Sequence, residues 1–449
     1  VRQLRDETRK TLVEKYPGTD LVYYEGLEKM EEEDYEGAVV EFDKVEKASD
    51  LLYPRAQAKI GECYMLITTA AIEENEGEPN RRSGRFLEKL EGTRTEFLAF
   101  CKDPNWQTGN SQALDERQQA RAALDYFTAK AADASREYAR ALELLAGFSK
   151  QYERQESFVE AALYLEVQLH IETGDLATAE ARNAELDEKF PESTVTAAAY
   201  LLIGQEYKQR FKQKADEYQK ANNVEATQAE MALIETDEAA RRTLVKSSDY
   251  VKIWWEKQGK PFTKGLEIGR DYFRLREYEK ALEILEFLQG RDSDNRKIAA
   301  GQRRTLTLLL AETYLKLRDF KKAVAIYEDL YQIYIGDRRG VVNPELRKNF
   351  AIALGGTVVV EDGAIVEYEG VEDYARSKEV WQPIATSNDP GIEFTPIWWE
   401  AKFHFAYLDY KLGNTDAARR LVRNLDVLYP KDMDEAATAP LFEWLKGKL

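Results

Sequence analysis

One spacing recurs along the chain and restricts its fold more than any other feature. A small residue is followed twelve positions later by an alanine, and larger, mostly apolar residues stand four and seven beyond that alanine. Gly26 leads to Ala38, Phe42 and Val45; Gly269 to Ala281, Leu285 and Leu288; Ala311 to Ala323, Tyr327 and Leu330; Ala406 to Ala418, Val422 and Leu425. Val167 leads to Ala179, Asn183 and Leu186, with two departures from type. A charged or glycine turn falls between: Glu33-Asp34-Tyr35, Gly174-Asp175-Leu176, Arg276-Glu277-Tyr278, Arg318-Asp319-Phe320 and Gly413-Asn414-Thr415. Two antiparallel helices approach closely only where side chains are small, so the small residue is expected to face the alanine. Tyr272 and Tyr314, each three after its small residue, then fill the space towards the next pair. Pro191 and Pro430, each twelve after an alanine, close second helices. A single pair cannot bury its apolar stripe, whereas stacked pairs share a continuous core.

At these residues the chain resembles the tetratricopeptide repeat (TPR) family, in a divergent form without that family's regular period. Gly61-Glu62-Cys63-Tyr64 and Gly204-Gln205-Glu206-Tyr207 read as two further first helices, but Glu73 and Asp216 stand where the alanine belongs. Their partner helices are expected to begin later. The segments ending Phe190-Pro191 and Tyr429-Pro430 resemble the TPR proteins of bacterial envelopes. The resemblance implies an all-α, right-handed α-solenoid of TPR-like helix pairs, interrupted by long inserted helices and one β-hairpin. The expected organisation is N-terminal units over 1–72, a polar insertion with helices over 73–150, and units with a long helical insertion over 151–258. Two units follow over 259–343, and C-terminal units carrying the hairpin (357–368) occupy 344–449.

Three stretches break the pattern. Residues 73–113 are polar and read as loop, short helix around Phe86 to Phe100, and loop. Residues 205–258 read as long, charged, amphipathic helices that pack back on the array, broken at Asn222-Asn223. In the third, Thr357-Val358-Val359-Val360-Glu361 and Ala364-Ile365-Val366-Glu367-Tyr368 flank Asp362-Gly363, which predicts a hairpin.

Composition narrows the chemistry. The 449 residues carry 82 acidic and 64 basic side chains, a net charge of −18. Such a chain repels nucleic acid and anionic lipid at long range, so no nucleic-acid partner is expected. No apolar run reaches a membrane span. Cys63 and Cys101 form no CxxC pair, so no metal or redox motif is read there. Cys63 is expected to be an inert core thiol, and a bond between the two cysteines cannot be argued from spacing. The chain has two histidines, and both are expected to pack: His170 takes the position of Tyr272 and Tyr314 in its unit, and His404 lies in Phe403-His404-Phe405. No phosphate-binding loop, zinc-protease or serine-nucleophile motif appears. The acidic run from Glu28 to Glu36 lacks the spacing of a calcium loop. No catalytic, cofactor or metal residue is assigned.

Aromatic and basic residues supply the candidate contacts. Trp254-Trp255 and Trp398-Trp399 are adjacent pairs, and neighbours on a helix point about 100° apart. One indole of each pair is therefore a candidate for a partner surface, while burial of both between the array and the accessory helices is the favoured reading. Arg81-Arg82 with Arg85, Arg303-Arg304 and Arg338-Arg339 stand out on the acidic background. Solvated helix ends are the plain reading, with Arg303-Arg304 placed to point one guanidinium into a groove. The expected function is a non-enzymatic protein–protein interaction scaffold or assembly subunit. Its protein partners would be held by the solenoid surface, the Val358/Val366 hairpin and the tryptophans. Two alternatives stay open. One is a self-assembling homo-oligomer stacked through an apolar last helix (Leu441, Phe442, Trp444, Leu445); the other is an enzyme or accessory subunit with a site beside the insertions. A chain that begins at Val1 rather than Met, with envelope-type helix endings, is expected to be exported, with the bacterial periplasm favoured over the cytoplasm.

Overall fold

A computed structural model describes residues 19–292, 299–336, 343–389 and 391–449; Arg338 and Arg339 lie outside them. The helices run in order α1 (Thr19–Glu31), α2 (Tyr35–Phe42), α3 (Leu52–Glu73), α4 (Arg81–Lys102), α5 (Ser111–Ala134), α6 (Tyr138–Leu145), α7 (Phe148–Gln151) and α8 (Glu156–Glu172). Next come α9 (Leu176–Lys189), α10 (Thr194–Asn222), α11 (Ala226–Thr236), α12 (Glu238–Lys257), α13 (Phe262–Arg274), α14 (Tyr278–Asp292), α15 (Ala300–Lys316), α16 (Phe320–Gly336) and α17 (Pro344–Gly355). Strands β1 (Thr357–Glu361) and β2 (Ala364–Tyr368) precede α18 (Tyr374–Ala385), α19 (Pro396–Lys411), α20 (Thr415–Leu428), α21 (Pro430–Glu435) and α22 (Ala439–Lys446). The described residues are all-α apart from that hairpin. It divides into one unit of Val1–Glu230 with Asp249–Gln258, and another of Met231–Ser248 with Gly259–Leu449.

The helix pairs are TPR-like, and one backbone device closes them. Seven positions after each small residue stands a left-handed residue: Glu33 (φ 62°), Gly174 (80°), Arg276 (64°), Arg318 (63°) and Gly413 (79°). This reverses the chain after the first helix and frees the next N–H to reach back five residues. Asp34 thus bonds the Lys29 carbonyl (2.9 Å), Glu277 that of Tyr272 (2.9 Å), Asp319 that of Tyr314 (2.9 Å) and Asn414 that of Asp409 (2.8 Å). The carboxylates of Asp34, Asp175 and Asp319 then cap the second helix, accepting from the N–H of Gly37 (3.0 Å), Thr178 (3.2 Å) and Lys322 (3.2 Å).

The same device reveals a pair that the sequence reading passed over. Arg136 (φ 61°) lies seven after Ala129, and Ala141, Leu145 and Phe148 follow at the usual intervals. All four packing residues are buried. Among the helices of the 73–150 stretch, α5 and α6 therefore form a regular pair. The expected short helix near Phe86 is also longer, since Asn80 caps α4 through a reciprocal bond with Ser83 and the helix runs to Lys102. Gly61 of α3 has no alanine opposite; a side chain there would meet Leu124 of α5 at 2.6 Å and Leu90 of α4 at 3.4 Å.

Contact within the pairs also differs in detail from expectation. The space left by Gly26 is filled by the Phe42 ring (2.5 Å from where a Cβ would lie), and that left by Gly269 by Leu285 (2.9 Å). The glycine thus receives the large residue four beyond the alanine. Ala38 and Ala281 are themselves buried at the crossing.

Asn223 (φ 51°) ends α10 as expected, and residues 249–257 of α12 fold back on it. Tyr250 stacks on Tyr207 (5.9 Å, 20°), and the Lys257 ammonium donates to Asp187 (2.7 Å) and to the Pro191 carbonyl (2.6 Å).

The hairpin pairs Thr357 with Tyr368 through Glu361 with Ala364, turning at Asp362 (φ 50°) and Gly363 (77°). It is inserted into the turn of a helix pair. Glu372 (φ 64°) is the left-handed residue, Asp373 reaches back across the hairpin to the Leu354 carbonyl (3.1 Å), and its carboxylate caps α18. Ser377 takes the alanine position, donating to the Ala351 carbonyl (2.8 Å), and Trp381 and Ile384 follow four and seven later.

Candidate partner-binding surfaces

Trp254 and Trp255 divide as the 100° offset demands. Trp255 is buried, whereas Trp254 is half-buried and faces a cleft of about 260 Å³. Tyr164 of α8, Thr194, Ala198, Leu201, Leu202 and Gln205 of α10, and Trp254 with Gln258 line it. None of these side chains is charged at neutral pH; burial pushes the Tyr164 hydroxyl above its ordinary value. The cleft lies wholly within the first unit.

Trp398 and Trp399 are both buried (2 % and 5 % exposed), which follows the favoured reading and removes them as candidate partner contacts. They meet edge to face (4.9 Å, 87°) and are closed over by Tyr429 and Phe394. A 100° offset exposes one ring only where a single side of the helix is covered, and here Tyr429, just beyond the end of α20, covers the second. Val358 is corrected for a similar reason. It is 1 % exposed and points into the fold, while Val366 is half-buried and Val360 is the exposed valine of β1.

The hairpin is also fastened down. The Tyr407 hydroxyl (2.7 Å) and the Lys411 ammonium (3.0 Å), both of α19, donate to Glu367. Burial acts against the Glu367 carboxylate, yet these bonds hold it below the usual range. Arg318 donates to Glu361 (3.2 Å) and lies 4.0 Å over the Tyr368 ring. Arg303 is half-buried and Arg304 exposed at the start of α15, and both already interact within the protein.

Neither histidine is placed for catalysis. His404 is 1 % exposed, stacks on Trp381 (5.0 Å, 7°) and lies 3.5 Å from the Thr357 hydroxyl. Burial, with Lys348 nearby, pulls it down to about 3, so it is neutral. His170 is half-buried, and desolvation lowers it despite Asp175 at 3.9 Å. Cys63 is a buried free thiol pushed up to about 12 by desolvation, and Cys101 is also free. Among the described residues no cluster of three or more potential ligands could hold a metal, and no helix is long and apolar enough to cross a membrane.

Sequence reasoning missed Glu166. It is 7 % exposed in α8, and burial lifts its carboxyl to about 7 even with Arg182 at 4.0 Å. Arg182 is shared with Glu185 (2.7 Å), which also accepts from the Ser149 hydroxyl (2.6 Å). The one available signal was an acid amid the apolar Leu163–Val167 run.

No protein-family model and no curated protein matches the chain. Among solved structures, the human IFIT1 dimer with m7Gppp-AAAA aligns at 12 % identity over 93 % of this chain and 75 % of its own, with a TM-score of 0.31. Yeast Tom70 aligns at 11 % identity over 97 % and 94 %, with a TM-score of 0.27. A crystallised TPR domain aligns at 14 % identity over 92 % and 94 %, with a TM-score of 0.23.

Proposed function

We propose that this chain is a non-catalytic scaffold that holds protein partners as an assembly subunit, with the Trp254 cleft as a principal contact. The lining of that cleft carries the reading. A site that makes or breaks bonds gathers titratable groups around the reacting atoms. This one sets an indole and two leucines beside the amides of Gln205 and Gln258. An apolar anchor with a polar rim is how a partner side chain is held. The use of His404 in packing supports the same view, and the envelope-type endings at Pro191 and Pro430 support placing the assembly outside the bacterial cytoplasm.

The rival end-stacking homo-oligomer loses its main support. Leu441, Phe442 and Leu445 are buried and Trp444 is half-buried, so α22 spends most of its apolar face inside the molecule.

A photoreactive amino acid at position 254 should crosslink a defined partner in the native source. Trp254→Ala should abolish recovery of that partner while leaving the melting temperature within a few degrees. Equal recovery by wild type and Trp254→Ala would remove the cleft from the function.

A further inference from the structure

A second surface, on α20 and the segment before α19, shares no residue with the cleft. The inward face of α20 is Ala418, Val422 and Leu425, all buried. On the opposite stripe, Arg420, Arg423 and Val427 follow at helical spacing and are all exposed. Val427 is 71 % and Leu428 65 % exposed. Phe394, 47 % exposed, packs its ring 5.3 Å from Tyr429, the residue that follows Leu428. Phe394 holds φ at 64°, a conformation unfavourable for a bulky aromatic, and strain of this kind concentrates where function retains it.

Along α20 itself basic side chains (Arg419, Arg420, Arg423) outnumber acidic ones (Asp416, Asp426) by three to two, the reverse of the balance over the whole chain, where acidic side chains outnumber basic ones by 82 to 64. Nearby cations are paired: Arg419 with Asp416 (3.3 Å) and Lys446 with Asp426 (2.9 Å). Arg420, Arg423 and Lys431 are exposed and have no ion pair or hydrogen bond among the described residues.

We infer that this face docks an acidic amphipathic helix of a partner protein. Its apolar residues would cover Phe394, Val427 and Leu428, and its carboxylates would meet Arg420, Arg423 and Lys431. A neutral partner would bury these cations uncompensated, at a desolvation cost that an acidic one avoids. Arg420 to Val427 spans about 10 Å, two turns of a helix, so anchors and carboxylates two turns apart on the partner match it. An anionic membrane would suit the patch locally, but the net charge of −18 opposes its approach.

The test is fluorescence anisotropy on the full chain with a labelled helical peptide. The peptide carries two adjacent leucines and, two turns away, four glutamates; the controls are its scramble and phosphatidylserine vesicles. The peptide should bind at least tenfold more tightly than the scramble and weaken as salt rises. Arg420→Glu with Arg423→Glu, and separately Val427→Ser with Leu428→Ser, should each weaken it tenfold or more without changing the melting temperature, since all four positions face solvent. Equal affinity for the scramble, or indifference to both double variants, overturns the proposal. So does vesicle binding that depends on the two arginines when the peptide does not bind. None of these failures would touch the Trp254 reading.

Discussion

Glu166 shows how one side chain sets a pH dependence that no motif announces. Its carboxyl, lifted by burial to about 7, binds a proton more tightly in the folded than in the unfolded chain, where an ordinary glutamate titrates near 4.5. Stability from this group is therefore greatest at low pH and is lost as pH rises from about 4.5 through 7. The loss is on the order of 3 kcal/mol. Glu166→Gln should raise the unfolding free energy at pH 8 and flatten its slope between pH 5 and 8. Parallel slopes for variant and wild type in urea titrations would show that Arg182 compensates the charge fully. The glycines offer a paired contrast at the same scale. In Gly26→Ala the new methyl would lie 2.5 Å from the Phe42 ring, which cannot yield locally, and about 1–3 kcal/mol should be lost. In Gly269→Ala it meets a terminal methyl of the buried Leu285 at 2.9 Å, and the gain in helix propensity of about 1 kcal/mol should offset that crowding and leave the change near neutral. Thermal melts of the two variants separate these outcomes.

At the scale of elements, the hairpin is the informative case. Two β-branched runs around Asp362-Gly363 made it legible, since that turn needs two positive φ values and Asp-Gly supplies them cheaply. Its role was not legible. Read as an appendage, it should be removable without loss; in the fold it closes over His404 and is held by Tyr407 and Lys411 of α19. Deleting residues 357–369 should therefore lower the melting temperature by several degrees and open His404 to solvent, moving its pKa up from about 3 towards the ordinary value. Histidine NMR titration would register that rise, and an unchanged titration would mean the hairpin is ornamental after all. Gly356 is the critical hinge. It holds φ at 82°, with the Tyr368 carbonyl 2.2 Å from where a Cβ would lie, so Gly356→Ala should be nearly as harmful as the deletion.

At the scale of the whole molecule, the chain divides where no composition shift marks a boundary. Met231–Ser248 belongs with the second unit although α12 continues into the first. Leu233, Ile234 and Ala240 are buried, and Arg276 pairs with Glu235 at 3.5 Å. A fragment of 231–449 should accordingly melt at a higher temperature than one of 259–449. Circular dichroism melts decide this, and equal melting would show that Met231–Ser248 contributes nothing to the second unit.

The sequence by itself determined the helix pairs, their reversals and the hairpin. Except in the pair that carries the hairpin, these are specified by neighbours within about a dozen residues: a small residue at the crossing, a turn that accepts a left-handed residue and, in several, an aspartate at the cap. The pair at Ala129 obeys the same rule, with Arg136 at its reversal just as Arg276 and Arg318 are at theirs. Only the tertiary structure decided which apolar residues stay in contact with water. Trp254 and Trp398 each begin an adjacent tryptophan pair on a helix, yet one lines an open cleft and the other is sealed beneath Tyr429 and Phe394. Burial of a side chain depends on what arrives from distant parts of the chain, and helical periodicity carries no record of that arrival.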